Sequence, residues 1–318
     1  MKTEMRSYIF KRLLLLIPVL FGITFLSFAL MQAAGSDVIL QKADASGISL
    51  SREVMNAQRE ELGLNQPFLV QYGNWLVRFM KGDLGVSYVS GEDVFSTFVS
   101  KLPATLLLTF TSVILTVIIS VPLGILSAVK RDKMSDNLIR LFSFIGGSLP
   151  NFFVALVLIY FLAVRISIFP VISDGTGLQS VMLPAFTLAI AMSSRYVRQV
   201  RAAVLDELSK EYVLAAKARG IRFSSTLWKS VMKTALLTIL TLLLLSIGSL
   251  LGGTAVVESI FLWDGVGKLA VDAVNMRDYP MIQAYVVWMA VIYVTVNLTA
   301  DIIYCLLDPR IRLGGDKS

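Results

Sequence analysis

Six runs of this chain carry no charge over about 20 positions, the length a helix needs to cross a bilayer core of roughly 30 Å. They are Leu13–Asp37 (its closing acid excluded), Leu102–Val129, Leu141–Val164, Gly175–Ser194, Thr234–Val257 and Tyr279–Ala300. The next longest, Leu62–Val77, has 16 residues and is interrupted by Asn, Gln, Gly and Pro. Apolar side chains run right round each predicted helix, as expected where lipid is the solvent. Charged residues make up only 16% of the chain, against about 25% in a soluble domain. The expectation is an all-α, polytopic membrane helical bundle with six transmembrane helices.

The first run starts on Lys11 and Arg12, as a secretory signal would. Its apolar stretch Leu13–Met31 has 19 residues, however, longer than the roughly 7–15 of a signal core. Met31-Gln32-Ala33 offers no convincing cleavage site, so the run is read as a retained span.

Charge sets the orientation. Of the 29 basic residues, 20 lie in the N-terminus, in 130–140, in 195–233 and in the C-terminus, alongside only 8 acids. The opposite side holds 9 basic and 13 acidic residues. Both termini are therefore expected in the cytoplasm, and the net +7 reads as topology rather than as a nucleic-acid footprint. The chain divides on this reading into an N-terminal tail and first span (1–31), an external loop with short helices (32–101) and a core from 102 to 318.

Two loops are too patterned to be simple links. In the external one, Ser51 and Glu53 start a helix that Gly63 closes, and Gln71–Met80 places Trp75, Leu76 and Phe79 on one apolar side. These residues suit a platform for an external partner and equally a solvated loop with interfacial aromatics. The cytoplasmic loop Arg195–Lys233 contains nothing that breaks a helix before Arg219; Gly220 then allows a turn, and Ser224-Ser225-Thr226 a fresh start. Leu205, Leu208, Tyr212 and Ala216 recur at helical spacing, giving a short helix at about residues 205–220. The small residues Ala215, Ala216 and Ala218 suit close approach by a second protein; an amphipathic helix held at the membrane face explains the same pattern.

At this loop the sequence resembles the inner-membrane permeases of ATP-binding-cassette importers, whose signature is Glu-Ala-Ala followed by a glycine. Ala215-Ala216 and Gly220 match; Leu214 stands in the acidic position, Glu211 lies one turn earlier, and the usual terminal proline is replaced at Leu237-Thr238. Further segments resemble the peptide/nickel branch, B-type subunit. They include YIFKRLLLLIPVL at 8–20, LGLNQPFLVQYGNWL at 62–76, GDLGVSY at 82–88, LPNFFVALVL at 149–158, VESIFLWDGVGKLAVDAVNMRDYPMIQ at 257–283 and LLDPRIR at 306–312. Asp264 departs from the family's proline. Within the branch the wording is most similar to nickel-import permeases, with dipeptide and oligopeptide permeases close behind.

The resemblance implies the type I importer fold in a bacterial inner membrane. It also implies a second homologous permease, two cytoplasmic ATP-binding subunits and an extracytoplasmic solute-binding protein as partners. ATP and Mg would be bound by the ATPases, leaving no cofactor in this chain. By the same analogy Glu211–Gly220 is a coupling helix, with Glu211, Ala215, Ala216 and Gly220 as its docking residues. The cargo implied is nickel or a nickel chelate, or alternatively di- or oligopeptides.

The residues themselves argue against chemistry in this chain. It has no histidine and one cysteine, Cys305, so the preferred nitrogen and sulfur ligands of nickel are nearly absent and no metal site is expected. Its twelve methionines read first as core filler. A membrane enzyme would need an imidazole or paired intramembrane carboxylates. Gly265-Val266-Gly267-Lys268 superficially matches a phosphate loop, but Leu269 stands where Ser or Thr is required, and it reads as a turn. Asp301 is the one acid inside an expected span, where an intramembrane carboxylate faces a partner or a cavity. It is either a pathway or gate residue or a structural partner of Arg310 or a backbone amide. Gly146-Gly147, Gly252-Gly253 and Pro150 read as close helix packing and local bending.

Overall fold

The computed structural model describes residues 2–33, 51–61, 63, 65–171 and 177–307. Among these the chain is helical, with one isolated antiparallel bridge between Val86 and Asp93. The helices are α1 (Lys2–Ala33), α2 (Arg52–Glu61), α3 (Phe68–Met80), α4 (Val94–Val129), α5 (Met134–Ser148), α6 (Asn151–Leu158), α7 (Leu178–Leu208), α8 (Glu211–Ala218), α9 (Phe223–Thr226), α10 (Met232–Gly253), α11 (Ala255–Ile260), α12 (Val266–Asn275) and α13 (Tyr279–Leu307). Short π-helical stretches continue α6 over Ile159–Arg165 and join α9 to α10 over Leu227–Val231.

Three described helices are long and apolar enough to cross a membrane: Val94–Val129, Gln179–Leu208 and Tyr279–Ala300. Met134–Ser148 and Asn151–Arg165 make a fourth if counted as one span, but they are bent by 104°. The expected run Leu141–Val164 is therefore a broken one, with the bend at Pro150 much sharper than a local kink. The break falls at Leu149-Pro150, where proline lacks the N–H that a continuing helix would use. The other two expected runs fall on α1, whose Ile17–Ala33 is apolar but shorter, and on α10–α11; both contain residues whose side chains lie outside the described set.

The chain forms two compact units, and Asp264–Val294, grouped by sequence with the core, belongs with Met1–Ala104 in the first. In that unit Thr24, Phe25 and Phe28 of α1 meet α3. Tyr72 stands 2.9 Å from the Thr24 hydroxyl, Phe25 meets Phe68 edge-on at 5.4 Å, and Trp75 stacks on Phe79 at 5.4 Å. The start of α4, α12 and the start of α13 enclose Leu84, Val94, Ala273, Met281 and Ala284. Buried Asp278 accepts the Ser87 hydroxyl and the Tyr88 amide, the latter at 3.1 Å, tying the Gly85–Asp93 loop to the end of α12. Burial raises the Tyr88 phenol pKa, and the Asp278 charge raises it further. Gly267 and Lys268, read from sequence as part of a turn, are instead in the first turn of α12, and Lys268 pairs with Asp272. Asp264, in place of the family's proline, accepts the Lys101 ammonium.

The second unit comprises Thr105–Trp263 and Thr295–Ser318. Its main cluster joins Ile125 and Ala128 of α4, Tyr196, Val200 and Val204 of α7, and Leu227, Val231, Met232, Ala235, Ile239 and Leu243 around α10. Glycine permits the close crossings. A Cβ on Gly124 would lie 2.6 Å from Val200, and one on Gly146 would lie 2.3 Å from the Ser194 hydroxyl. These α4–α7 and α5–α7 approaches bring backbone against side chain, the usual means of holding helices together where lipid removes the hydrophobic drive.

Candidate functional site

The loop after α7's charge-free run does not form the single helix expected at 205–220. α7 continues past its membrane run to Leu208, the chain turns at Ser209-Lys210, and α8 occupies Glu211–Ala218. The break is held by side chains that helical spacing does not reveal. Glu207, buried at the end of α7, accepts the Lys210 ammonium and the Tyr212 hydroxyl, the latter at 3.0 Å. Ser209 returns its own hydroxyl to the Asp206 carbonyl at 2.7 Å. Burial first and the Glu207 carboxylate second push the Tyr212 phenol up to about 12, so it is a donor throughout the physiological range.

Gly220 ends α8. Its φ is +73°, its N–H reaches the Lys217 carbonyl at 3.0 Å, and the Ile221 N–H reaches the Ala216 carbonyl at 3.1 Å. These two bonds form a Schellman ending, which places a glycine in the left-handed region. No atom lies within 4 Å of where a Cβ would stand, so backbone conformation rather than crowding selects the glycine.

The four loop residues singled out by sequence do not share one face. Glu211 and Ala215 are exposed, and with Leu214 and Ala218 they form an outward stripe at helical spacing. Ala216 is buried in its own unit, as Val213 partly is against the α7–α10 cluster. The small side chain of Ala216 lets α8 lie close to this chain. Leu214, 65% exposed, is the large apolar group that the motif reading passes over because it occupies a position expected to be acidic. Ile221 and Phe223, just beyond Gly220, are exposed as well. Glu211 lies in the first turn of α8, where a negative charge complements the helix dipole.

A second polar group lies further back on α7. Asp136 of α5 is fully buried and receives Arg201 through two bonds, Nε at 2.8 Å and Nη2 at 2.7 Å. The Ser127 hydroxyl and the Asp132 amide complete its coordination. Removing one partner from such a buried pair costs about 3–5 kcal/mol. One turn before Arg201, Arg198 donates to the Ser143 carbonyl at 3.1 Å. Elsewhere in the unit, buried Glu258 accepts the Thr105 hydroxyl at 2.8 Å.

Asp301 falls on α13, but its side chain lies outside the described residues, as do Asp308, Arg310 and the side chain of Cys305. Among the described residues no group of three or more His, Cys, Asp or Glu is placed to hold a metal.

Residues 120–313 match the family described as binding-protein-dependent transport system inner membrane component, and residues 5–109 match its N-terminal counterpart. The chain belongs to this family. The permease is 41% identical to the oligopeptide transport system permease protein AppB of Bacillus subtilis, over 97% of this chain and 100% of that one. It is 36% identical to the metal-staphylopine import system permease protein CntB of Staphylococcus aureus, over 98% and 99%. It is also 36% identical to the nickel import system permease protein NikB of the same species, over 96% and 93%. The fold is similar to that of a chain from the inward-facing MetNI methionine ABC transporter, with a TM-score of 0.56 at 20% identity, over 66% of the permease and 96% of that chain. The chain is thus a polytopic membrane permease subunit of an ABC importer, closely related to the B-type permeases.

Proposed function

We propose that the permease spans the bacterial inner membrane six times with both termini in the cytoplasm, and moves nickel or a metal chelate inward by alternating access. A second homologous permease, two ATP-binding subunits and an extracytoplasmic solute-binding protein complete the machine. ATP and Mg stay with the ATPases. α8 docks in a groove on one ATPase through Glu211, Leu214, Ala215 and Ala218, while Gly220 ends the helix and Ala216 seats it. The exposed stripe on α8, beside a buried inward face, is the observation that carries this docking reading.

For the cargo, near full-length similarity to a metal-chelate and a nickel permease supports the metal reading. A chain without histidine suits a cargo that arrives already liganded, since nickel prefers nitrogen and sulfur donors. Oligopeptides are the second reading, favoured by the 41% identity to an oligopeptide permease. Asp301 is assigned to structural pairing near the inner end of α13 in preference to a gate.

The test compares uptake of nickel-63 in cells with and without the chain, adding excess chelator or excess tripeptide as competitor. Loss of nickel uptake on deletion, indifferent to tripeptide, supports the metal reading. Unchanged nickel uptake with lost peptide uptake moves the cargo to peptides. Failure of the tagged chain to bring down ATPases from native membranes would sink the importer assembly itself.

A further inference from the structure

The ion pair between Asp136 and Arg201 lies seven residues before the end of α7 at Leu208, on the helix that carries α8. It is the last of several contacts along one line between α5 and α7. Gly146 lies against Ser194, Gly147 lies near Arg198, Arg198 bonds to the Ser143 carbonyl, and Arg201 closes on Asp136. The same carboxylate also holds Ser127 at the end of α4 and the amide of Asp132, whose φ is +61°, in the loop between α4 and α5. One buried side chain therefore ties three segments of the unit to the last turns of α7.

We infer that Asp136 and Arg201 are positioning residues that make α5 and the cytoplasmic part of α7 one rigid lever, so that the α4–α5 loop follows any displacement of α8. This rests on the reading of α8 as the ATPase-docking helix. The physical basis is geometric. A two-bond guanidinium–carboxylate pair fixes orientation as well as distance, and additional donors leave the carboxylate no second arrangement of equal satisfaction. A packed interface of this kind transmits displacement instead of absorbing it. A single point contact would let α7 pivot against α5; contacts at Gly146, Ser143 and Asp136 suppress that pivot.

The experiment uses the complete complex in vesicles, with Cys305→Ser as background and nickel-63 and a radiolabelled tripeptide followed in parallel. Arg201→Ala should lower cargo moved per ATP hydrolysed by about tenfold, while the ATPases still co-purify. A second variant adds Gly146→Cys with Ser194→Cys. The Cβ built on Gly146 lies 3.5 Å from the Ser194 Cβ, at the short end of the range a disulfide spans.

Oxidation of this pair should leave transport by the otherwise native complex unchanged and should restore coupling to Arg201→Ala, with reduction abolishing the rescue. A role confined to folding would lower the yield of assembled complex and leave cargo moved per ATP unchanged in what assembles. Transport blocked by the disulfide in the otherwise native complex would show that α5 and α7 move against each other, and would overturn the proposal. Unchanged coupling in Arg201→Ala would overturn it equally. Loss of ATPase co-purification from the unsubstituted chain is a different failure, that of the docking reading.

Discussion

The Tyr212 hydroxyl reaches back across the break between α7 and α8 to the buried carboxylate of Glu207, at 3.0 Å. That bond joins a helix long enough to cross a membrane to a short one with an exposed outer stripe. Tyr212→Phe removes the donor and leaves the ring, so α8 should loosen without unfolding. Uptake is expected to fall several-fold with ATPase binding retained. Glu207→Ala should be more severe, because Lys210 also loses its shorter ion pair and keeps only the longer approach to Asp206 among those described, at 3.8 Å. Transport assays and pull-down on the same membranes separate the two effects. The raised phenol pKa fixes the pH response. The neutral hydroxyl is favoured in the fold, so its contribution is complete below the ordinary tyrosine value and is lost as pH rises through about 12. Tyr212→Phe should therefore leave the pH profile of uptake between about 6 and 8 unaltered in shape.

Gly220 permits a conformational test with no steric complication. Gly220→Ala meets nothing within 4 Å, yet must adopt φ near +73°, which costs about 1–2 kcal/mol in an L-residue. Hydrogen exchange at the last turn of α8 should speed up accordingly, and Gly220→Asn should lie between the two. Equal protection in all three would mean that the ending is held by something other than the left-handed residue.

Gly124 offers the opposite case, where room and not conformation is limiting. Gly124→Ala should destabilise by about 1–3 kcal/mol, because its Cβ falls 2.6 Å from Val200. Val200→Ala should recover only part of that loss in the double variant, because it removes Cγ1 and leaves the Val200 Cβ at 2.6 Å and the Val197 carbonyl oxygen at 3.0 Å. Thermal unfolding in detergent of the four proteins in the cycle reads the coupling directly.

Leu262 predicts a gain. It holds φ of +53° at the end of α11, with the Trp263 N–H on the Glu258 carbonyl at 2.8 Å, and its side chain is half-exposed. Leu262→Gly keeps that bond and the one from its own N–H to the Ser259 carbonyl, removes the strain, and should raise stability by about 0.5–1 kcal/mol after the extra chain entropy of glycine is counted. A lower melting temperature would show that the leucine makes a contact worth more than its strain.

The helices are legible in the sequence because apolar runs and glycine stops are local signals. Gly63 and Gly220 both carry positive φ where a turn is expected, and α2 follows Ser51 as capping rules suggest. Partnership is not legible in the same way. Asp136 and Arg201 are 65 positions apart and read only as loop charges; nothing local distinguishes them from Asp132 or Arg195. The break at Ser209-Lys210 is equally hidden, because neither residue forbids a helix and the cause is the tertiary fit of Glu207. The inward turn of Ala216 is hidden for a related reason. A motif names residue types, but only packing decides which of two adjacent alanines faces outward.

The glycine contacts along α7 have a calorimetric consequence. Lipid chains are as apolar as the helix surfaces they would replace, so separating α4 or α5 from α7 within the bilayer exposes little apolar surface to water. The large positive heat-capacity change that marks unfolding in water should therefore be nearly absent from that separation. Helix separation at this seam should follow a nearly straight free-energy line with temperature, without the cold-side weakening that a water-driven core displays.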